Sequence, residues 1–196
     1  MANSQFLSSC SADDIQKAAG QLKAGHLVAF PTETVYGLGA DATNPVAVDK
    51  IYALKKRADT KSMIVLVPEE KWILDYVADL EPKVADYIKG IAKPTTVIYD
   101  HAKNVAPNLI ASDGSIAIRI CKANFAQQLM QAFGKPIVST SANISGLPTP
   151  KCFSDISLDI IEGVDYVVRS EQEDTTLKEP SAIVKWEKDQ IIIIRS

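Results

Sequence analysis

Two stretches of this sequence carry more polar functional groups than a packed core needs. In Phe30-Pro31-Thr32-Glu33-Thr34-Val35-Tyr36-Gly37-Leu38-Gly39-Ala40-Asp41-Ala42, an apolar approach gives way to hydroxyls, a carboxylate and glycines. Pro31 removes a ladder donor, and Thr32 and Thr34 present side-chain oxygens on one face at the strand period of two, as the wall of a site would. A Thr-rich strand running into a Gly-rich turn has a similar composition. The second stretch is Ser139-Thr140-Ser141-Ala142-Asn143-Ile144-Ser145-Gly146, which follows the apolar strand Pro136-Ile137-Val138. Its hydroxyls and amide offer donors to phosphate or carboxylate oxygens without adding charge, although an ordinary Ser/Thr turn uses the same groups locally.

Charge is supplied elsewhere. Lys55-Lys56-Arg57-Ala58-Asp59-Thr60-Lys61 gathers four cations between a helix end and the apolar run Ser62 to Pro68, where they either complement a helix dipole or meet an anion. In Ser115-Ile116-Ala117-Ile118-Arg119-Ile120-Cys121, strand alternation puts Ser115, Ala117 and Arg119 on one face. An arginine among strand apolars is either at an edge or an anion contact. If these segments converge, Lys55, Arg57, Lys61 and Arg119 give charge, and Ser115, Ser139, Ser141 and Asn143 give orientation. No Ser-His-Asp or Cys-His set is evident, so positioning and electrostatic stabilisation fit better than covalent catalysis. Gly37-Leu38-Gly39-Ala40-Asp41-Ala42 satisfies a dinucleotide pattern, but Thr43-Asn44-Pro45 places the helix start after it, which the fingerprint does not allow.

The elements that must hold these groups are legible in outline. Ile15, Ala18, Ala19 and Leu22 repeat at helical spacing over about 12–24 until Gly25, and Asn44-Pro45 starts a second helix with Val48, Ile51 and Tyr52. Strands are expected at about 26–31, 62–68, 95–99, 115–121 and 166–168, and a hairpin at 181–195 turning at Glu187-Lys188-Asp189. Helical segments fall at 69–93 in two pieces with a restart at Glu81-Pro82, at 124–133, and near 154–161. The pattern predicts one α/β domain over 1–196, with a mixed sheet and flanking helices.

At 196 residues, 46% hydrophobic and 23% charged, the chain has enough apolar content for a sizeable core. No long apolar run or signal-like N-terminus is present, so a cytoplasmic protein with no membrane contact is expected. Three dispersed cysteines and two histidines offer no disulfide framework and no zinc motif, so any metal is expected to arrive with a substrate. A net charge of −3 argues against a surface coated for nonspecific nucleic-acid binding.

Taken together, Pro31 to Gly39, Lys55-Lys56-Arg57 and Ser141-Ala142-Asn143-Ile144-Ser145-Gly146 resemble the KxR and SxN signature set of the YrdC family, the threonylcarbamoyl-AMP synthases, over nearly the whole chain. The resemblance implies a twisted open mixed sheet around a large concave cleft. It also implies synthesis of threonylcarbamoyl-AMP and pyrophosphate from L-threonine, bicarbonate and ATP, for threonylcarbamoyladenosine formation at position 37 of tRNA. By resemblance, L-threonine lies near Thr34, Arg119, Ser139 and Ser181, and ATP near Arg57, Lys61, Ser115, Ser141, Thr149 and Arg195, with Lys55 and Asn143 part of the signature. Mg²⁺ comes with ATP, no organic cofactor is implied, and the short form passes its product to tRNA through separate transfer proteins. The chain departs from the family pattern at Arg57-Ala58, Ser62-Met63, Ala92-Lys93-Pro94 and at Leu66, where some relatives carry a histidine. The competing expectation is an RNA-binding or ribosome-associated module without synthase activity. An aromatic content of 7% gives that reading little to stack bases on.

Overall fold

The computed structural model describes residues 12–56, 63–174, 179–187 and 190–196. Helix α1 (Ala12–Lys23) buries Ile15, Ala18, Ala19 and Leu22, the apolar face expected from their spacing. Strand β1 (Val28–Phe30) ends at Pro31. Next comes β2 (Gly37–Asp41), a strand for which the sequence reading set no bounds, buried along its whole length. It is a strand because its glycines let neighbours approach, not because they bend the chain. A Cβ on Gly39 would stand 2.6 Å from Phe30 Cε1, 2.8 Å from Ile137 Cγ2 and 2.9 Å from the Val138 carbonyl oxygen.

Helix α2 (Pro45–Lys55) starts as its sequence requires, with Pro45 in the first turn and Asn44 Oδ1 accepting from the amides of Val46 (3.0 Å) and Ala47 (3.3 Å). There follow β3 (Ile64–Val67), a 3₁₀ turn leading into α3 (Ile73–Tyr76), α4 (Pro82–Lys89), β4 (Thr95–Tyr99), β5 (Ile116–Ile120) and α5 (Asn124–Phe133). Gly134, at φ 82°, stops α5. Strand β6 (Ile137–Ser141) runs three residues further than the apolar pattern suggested, so Ser139, Thr140 and Ser141 belong to a strand and not to a turn. The chain finishes with a 3₁₀ turn at Phe153–Asp155, α6 (Leu158–Gly163), β7 (Tyr166–Val167), β8 (Ala182–Glu187) and β9 (Gln190–Arg195). The expected hairpin forms, with Lys188 and Asp189 of its turn outside the described residues.

Among the described residues, nine strands join one sheet in the order β7-β1-β2-β6-β3-β5-β4-β8-β9. The pairs β1–β7, β3–β5 and β4–β8 are parallel and the others antiparallel, which makes the sheet mixed as expected. On one face Leu38, Val65, Val138, Ile118 and Val97 pack under α2, α3, α4 and α6. On the other, Val28, Phe30, Leu66 and Ile137 pack under α1 and α5. Asp14 ties α1 to β7 and the segment after it by accepting from Tyr166 Oη, the amides of Arg169 and Ser170, and Ser170 Oγ at 2.5–3.1 Å. Burial opposes ionisation of Asp14, but these donors outweigh it and hold the carboxyl below its ordinary range. No helix among the described residues is long and apolar enough to cross a membrane.

Candidate active site

Where α1 and α5 stop, the sheet face they cover becomes the floor of a cavity of about 370 Å³. Ile64 on β3, Ala117 and Arg119 on β5, Thr96 and Ile98 on β4, and Ile183 on β8 line it, two residues apart wherever one strand contributes twice. Strand β6 closes one side with Ser139, Thr140 and Ser141, and the segment after β1 closes the top with Thr32 and Thr34. Thr32 Oγ1 donates to the Val35 carbonyl (2.6 Å), accepts from the Thr34 amide (3.2 Å) and sits 3.1 Å from Thr34 Oγ1, so the two threonines form a fixed pair.

Arg119 is buried, and its Nε lies 3.2 Å from Glu33 Oε1. The contact is an ion pair and not an aligned hydrogen bond, because neither buried atom finds a partner of good geometry. Among the described residues no acceptor hydrogen-bonds the Arg119 guanidinium, so a buried cation faces the cavity with donors to spare. Cys121 Sγ donates to the other carboxylate oxygen, Glu33 Oε2, at 2.6 Å. Burial, reinforced by the Glu33 charge, pushes the Cys121 thiol up to about 12, which keeps it a donor.

A second cation stands at the far side. Arg195 donates through Nε (3.0 Å) and Nη2 (2.7 Å) to the Ser181 carbonyl, and Ser181 Oγ pairs with Thr96 Oγ1 at 2.9 Å. Two guanidinium groups and a row of hydroxyls suit a ligand with separated anionic groups.

A family model designated Sua5, YciO and YrdC and described as telomere recombination matches residues 20–196. The chain belongs to this family. A threonylcarbamoyl-AMP synthase from Photobacterium profundum is 33% identical over 162 residues, covering 81% of this chain and 88% of that protein. The structure of P. abyssi Sua5 complexed with L-threonine aligns with a TM-score of 0.82 at 25% identity over 92% of this chain. This chain spans 53% of that longer protein. E. coli YciO shares the fold, with a TM-score of 0.79 at 20% identity, covering 92% of this chain and 87% of the other.

Against the residues that the YrdC resemblance singles out, the cavity gathers Thr34, Arg119, Ser139 and Ser181 together with Ser141, Thr149 and Arg195. Three others stand outside its lining. Lys55, expected at the nucleotide, is 1% exposed, and its Nζ donates to the carbonyls of Ser141 and Asn143, both at 2.5 Å. It braces the turn after β6, a place fixed by where that strand ends in space and therefore invisible to a count of charges. Asn143 is held in the same turn. Its Oδ1 accepts from Ser141 Oγ (2.6 Å), and its Nδ2 donates to the carbonyls of Ile144 (3.0 Å) and Leu147 (2.8 Å). Ser115 shares the β5 alternation but lies just before the strand, where its amide donates to Asp113 Oδ1. Arg57 and Lys61 lie outside the described residues. Leu66, the family departure, is fully buried in the cluster beneath α1 and α5, directly across from Arg119 in the register of β3 and β5. Thr96, Ile98, Ile64 and Ile183 line the cavity without having been expected at the site. Alternation within β3, β4 and β8 was the signal available for them, but it does not say which face stays open.

Proposed function

We propose that this protein is a threonylcarbamoyl-AMP synthase, an ATP-dependent nucleotidyltransferase using L-threonine, bicarbonate and ATP. The observation that carries the reading is Arg119, a buried guanidinium without an aligned acceptor, facing a cavity of small-molecule size beside Thr34 and Ser139. The synthase from Photobacterium profundum and the L-threonine complex of P. abyssi Sua5 support it. A concave cavity floored by Ile64, Ala117 and Ile98 favours a small substrate over an RNA backbone, which would call for a long basic groove.

In this reading the threonine carboxylate docks on Arg119, with the hydroxyls of Thr34, Ser139 and Ser181 around the amino acid. The threonine amine and bicarbonate combine to an N-carboxylate with loss of water. A carboxylate oxygen then bonds to the α-phosphorus as the bond from that phosphorus to the pyrophosphate oxygen breaks. Arg195, Ser141 and Thr149 hold the phosphates, and Lys55 and Asn143 keep the Ser141 turn in place. Arg57 and Lys61 are assigned to ATP on the family pattern alone. The described lining residues include no carboxylate, so Mg²⁺ fits as a companion of the ATP phosphates, whose repulsion it offsets. The product would be passed in the cytoplasm to separate proteins acting at position 37 of tRNA. Purified protein given ATP, L-threonine, bicarbonate and Mg²⁺ is expected to release pyrophosphate only when all are present and to yield threonylcarbamoyl-AMP by mass spectrometry. Hydrolysis of ATP without threonine, or no turnover at all, would sink the reading.

A further inference from the structure

Glu33 is the carboxylate of the first motif, and the cavity lining leaves it out. Thr32, Thr34 and Val35 line the cavity, while Glu33, in the bend between β1 and β2 and not at a strand position, contacts Arg119 and Cys121. In the sheet order β2, β6 and β3 lie between β1 and β5, so the segment after β1 carries this carboxylate across three strands to reach its partner. With side-chain exposures of 6% for Arg119 and 15% for Glu33, the pair is poorly screened by solvent. On its other side Glu33 borders a smaller hollow of about 40 Å³, whose lining includes Ile88, Ile91, Val97, Ile118 and Ile120. Glu33 thus lies outside the lining of the candidate cavity, and its carboxylate contacts Arg119 and Cys121 instead.

We propose that Glu33 is a positioning residue: by holding the Nε edge of Arg119, it turns the terminal fork of the guanidinium into the cavity to receive the carboxylate of the amino acid. The Cys121 thiol belongs to the same device, since it occupies Glu33 Oε2 and leaves Oε1 for Arg119. The inference deepens the synthase reading and rests on it for the identity of the amino acid.

The test is threonine affinity by calorimetry, run beside pyrophosphate release, on the intact protein and on Glu33→Ala, Glu33→Gln and Arg119→Lys. Glu33→Ala is expected to raise threonine Kd and KM about tenfold or more, as loss of an orienting charged contact does, with ATP KM moving less than about threefold. Glu33→Gln keeps the reach and an acceptor and is expected to recover most of that loss. In the Arg119→Lys background, Glu33→Ala should add no more than about twofold, because the two residues act as one unit. Should Glu33→Ala prove too unstable to purify, Glu33→Asp, whose shorter carboxylate leaves the pair, replaces it in the cycle. Unchanged threonine affinity, parallel losses for threonine and ATP, or fully additive effects would overturn the proposal. Threonine binding without turnover in the intact protein would defeat the synthase reading and leave the Glu33 cycle decisive, whereas no threonine binding would defeat both.

Discussion

The face of the sheet that carries the cavity has two ends built on the same strands and filled differently. On β6 the inward positions run Ile137, Ser139, Ser141, and along β5 they run Ala117, Arg119 and then Cys121 just past the strand. Ile137 and Cys121 lie in the cluster beneath α1 and α5, while Ser139, Ser141, Ala117 and Arg119 line the cavity. The boundary falls between Leu66 and Arg119, neighbours in the register of β3 and β5. Alternation is the same at both ends, so it is the reach of two helices that decides where a strand needs apolar side chains and where it is free to carry polar ones. One end should therefore answer to mutation in stability and the other in substrate use.

The largest effect is expected at the covered end. Phe125 of α5 is fully buried between that helix and the sheet, so Phe125→Ala should lower unfolding free energy by about 3–5 kcal/mol, as truncation of a core aromatic does. Denaturant titration measures this, and threonine KM of the folded protein should stay near that of the parent. A threonine KM that moves as far as stability would show that the two ends are one unit.

Arg119→Lys exchanges the roles. Lysine keeps the charge but loses the planar fork, so threonine KM is expected to rise by a factor corresponding to about 1.5–3 kcal/mol, roughly 10-fold to 150-fold. ATP KM should hardly change, and stability should fall far less than in Phe125→Ala. Equal losses for ATP and threonine in steady-state kinetics would place Arg119 with the phosphates or the scaffold.

This contrast also explains what could be read from the sequence. The helices, the mixed sheet and the C-terminal hairpin follow from local periodicity and caps, as in the Asn44-Pro45 start of α2. Strand β2 escaped because glycine is a turn signal by default, and its use at Gly39, to let Phe30 and Ile137 close in, depends on residues distant in the chain. The polar strand ends were legible as a site because they break an apolar run. Lys55 was read as a ligand because nothing local distinguishes a solvated cation at a helix end from one buried against the carbonyls of Ser141 and Asn143. Glu33 went unassigned for the same reason: its partners are 86 and 88 positions further along the chain.

Ser139 gives the smallest and most discriminating effect. Its side chain lines the cavity and, among the described residues, forms no hydrogen bond, whereas Ser181 and Thr96 satisfy each other and Thr32 is tied to Val35. A hydroxyl that stabilises the fold through a partner costs stability when removed, but one without a protein partner leaves only its ligand to lose. Ser139→Ala should thus leave the thermal midpoint unchanged and raise threonine KM by the equivalent of one neutral hydrogen bond, about 0.5–1.5 kcal/mol or roughly 2-fold to 13-fold. Alanine is smaller than serine, so the substitution introduces no new overlap to confuse the result. Thermal melts and threonine kinetics on the one variant decide the matter. A lowered midpoint with unchanged KM would move Ser139 from the open end to the covered one, and the line between the two regions would have to be redrawn through the middle of β6.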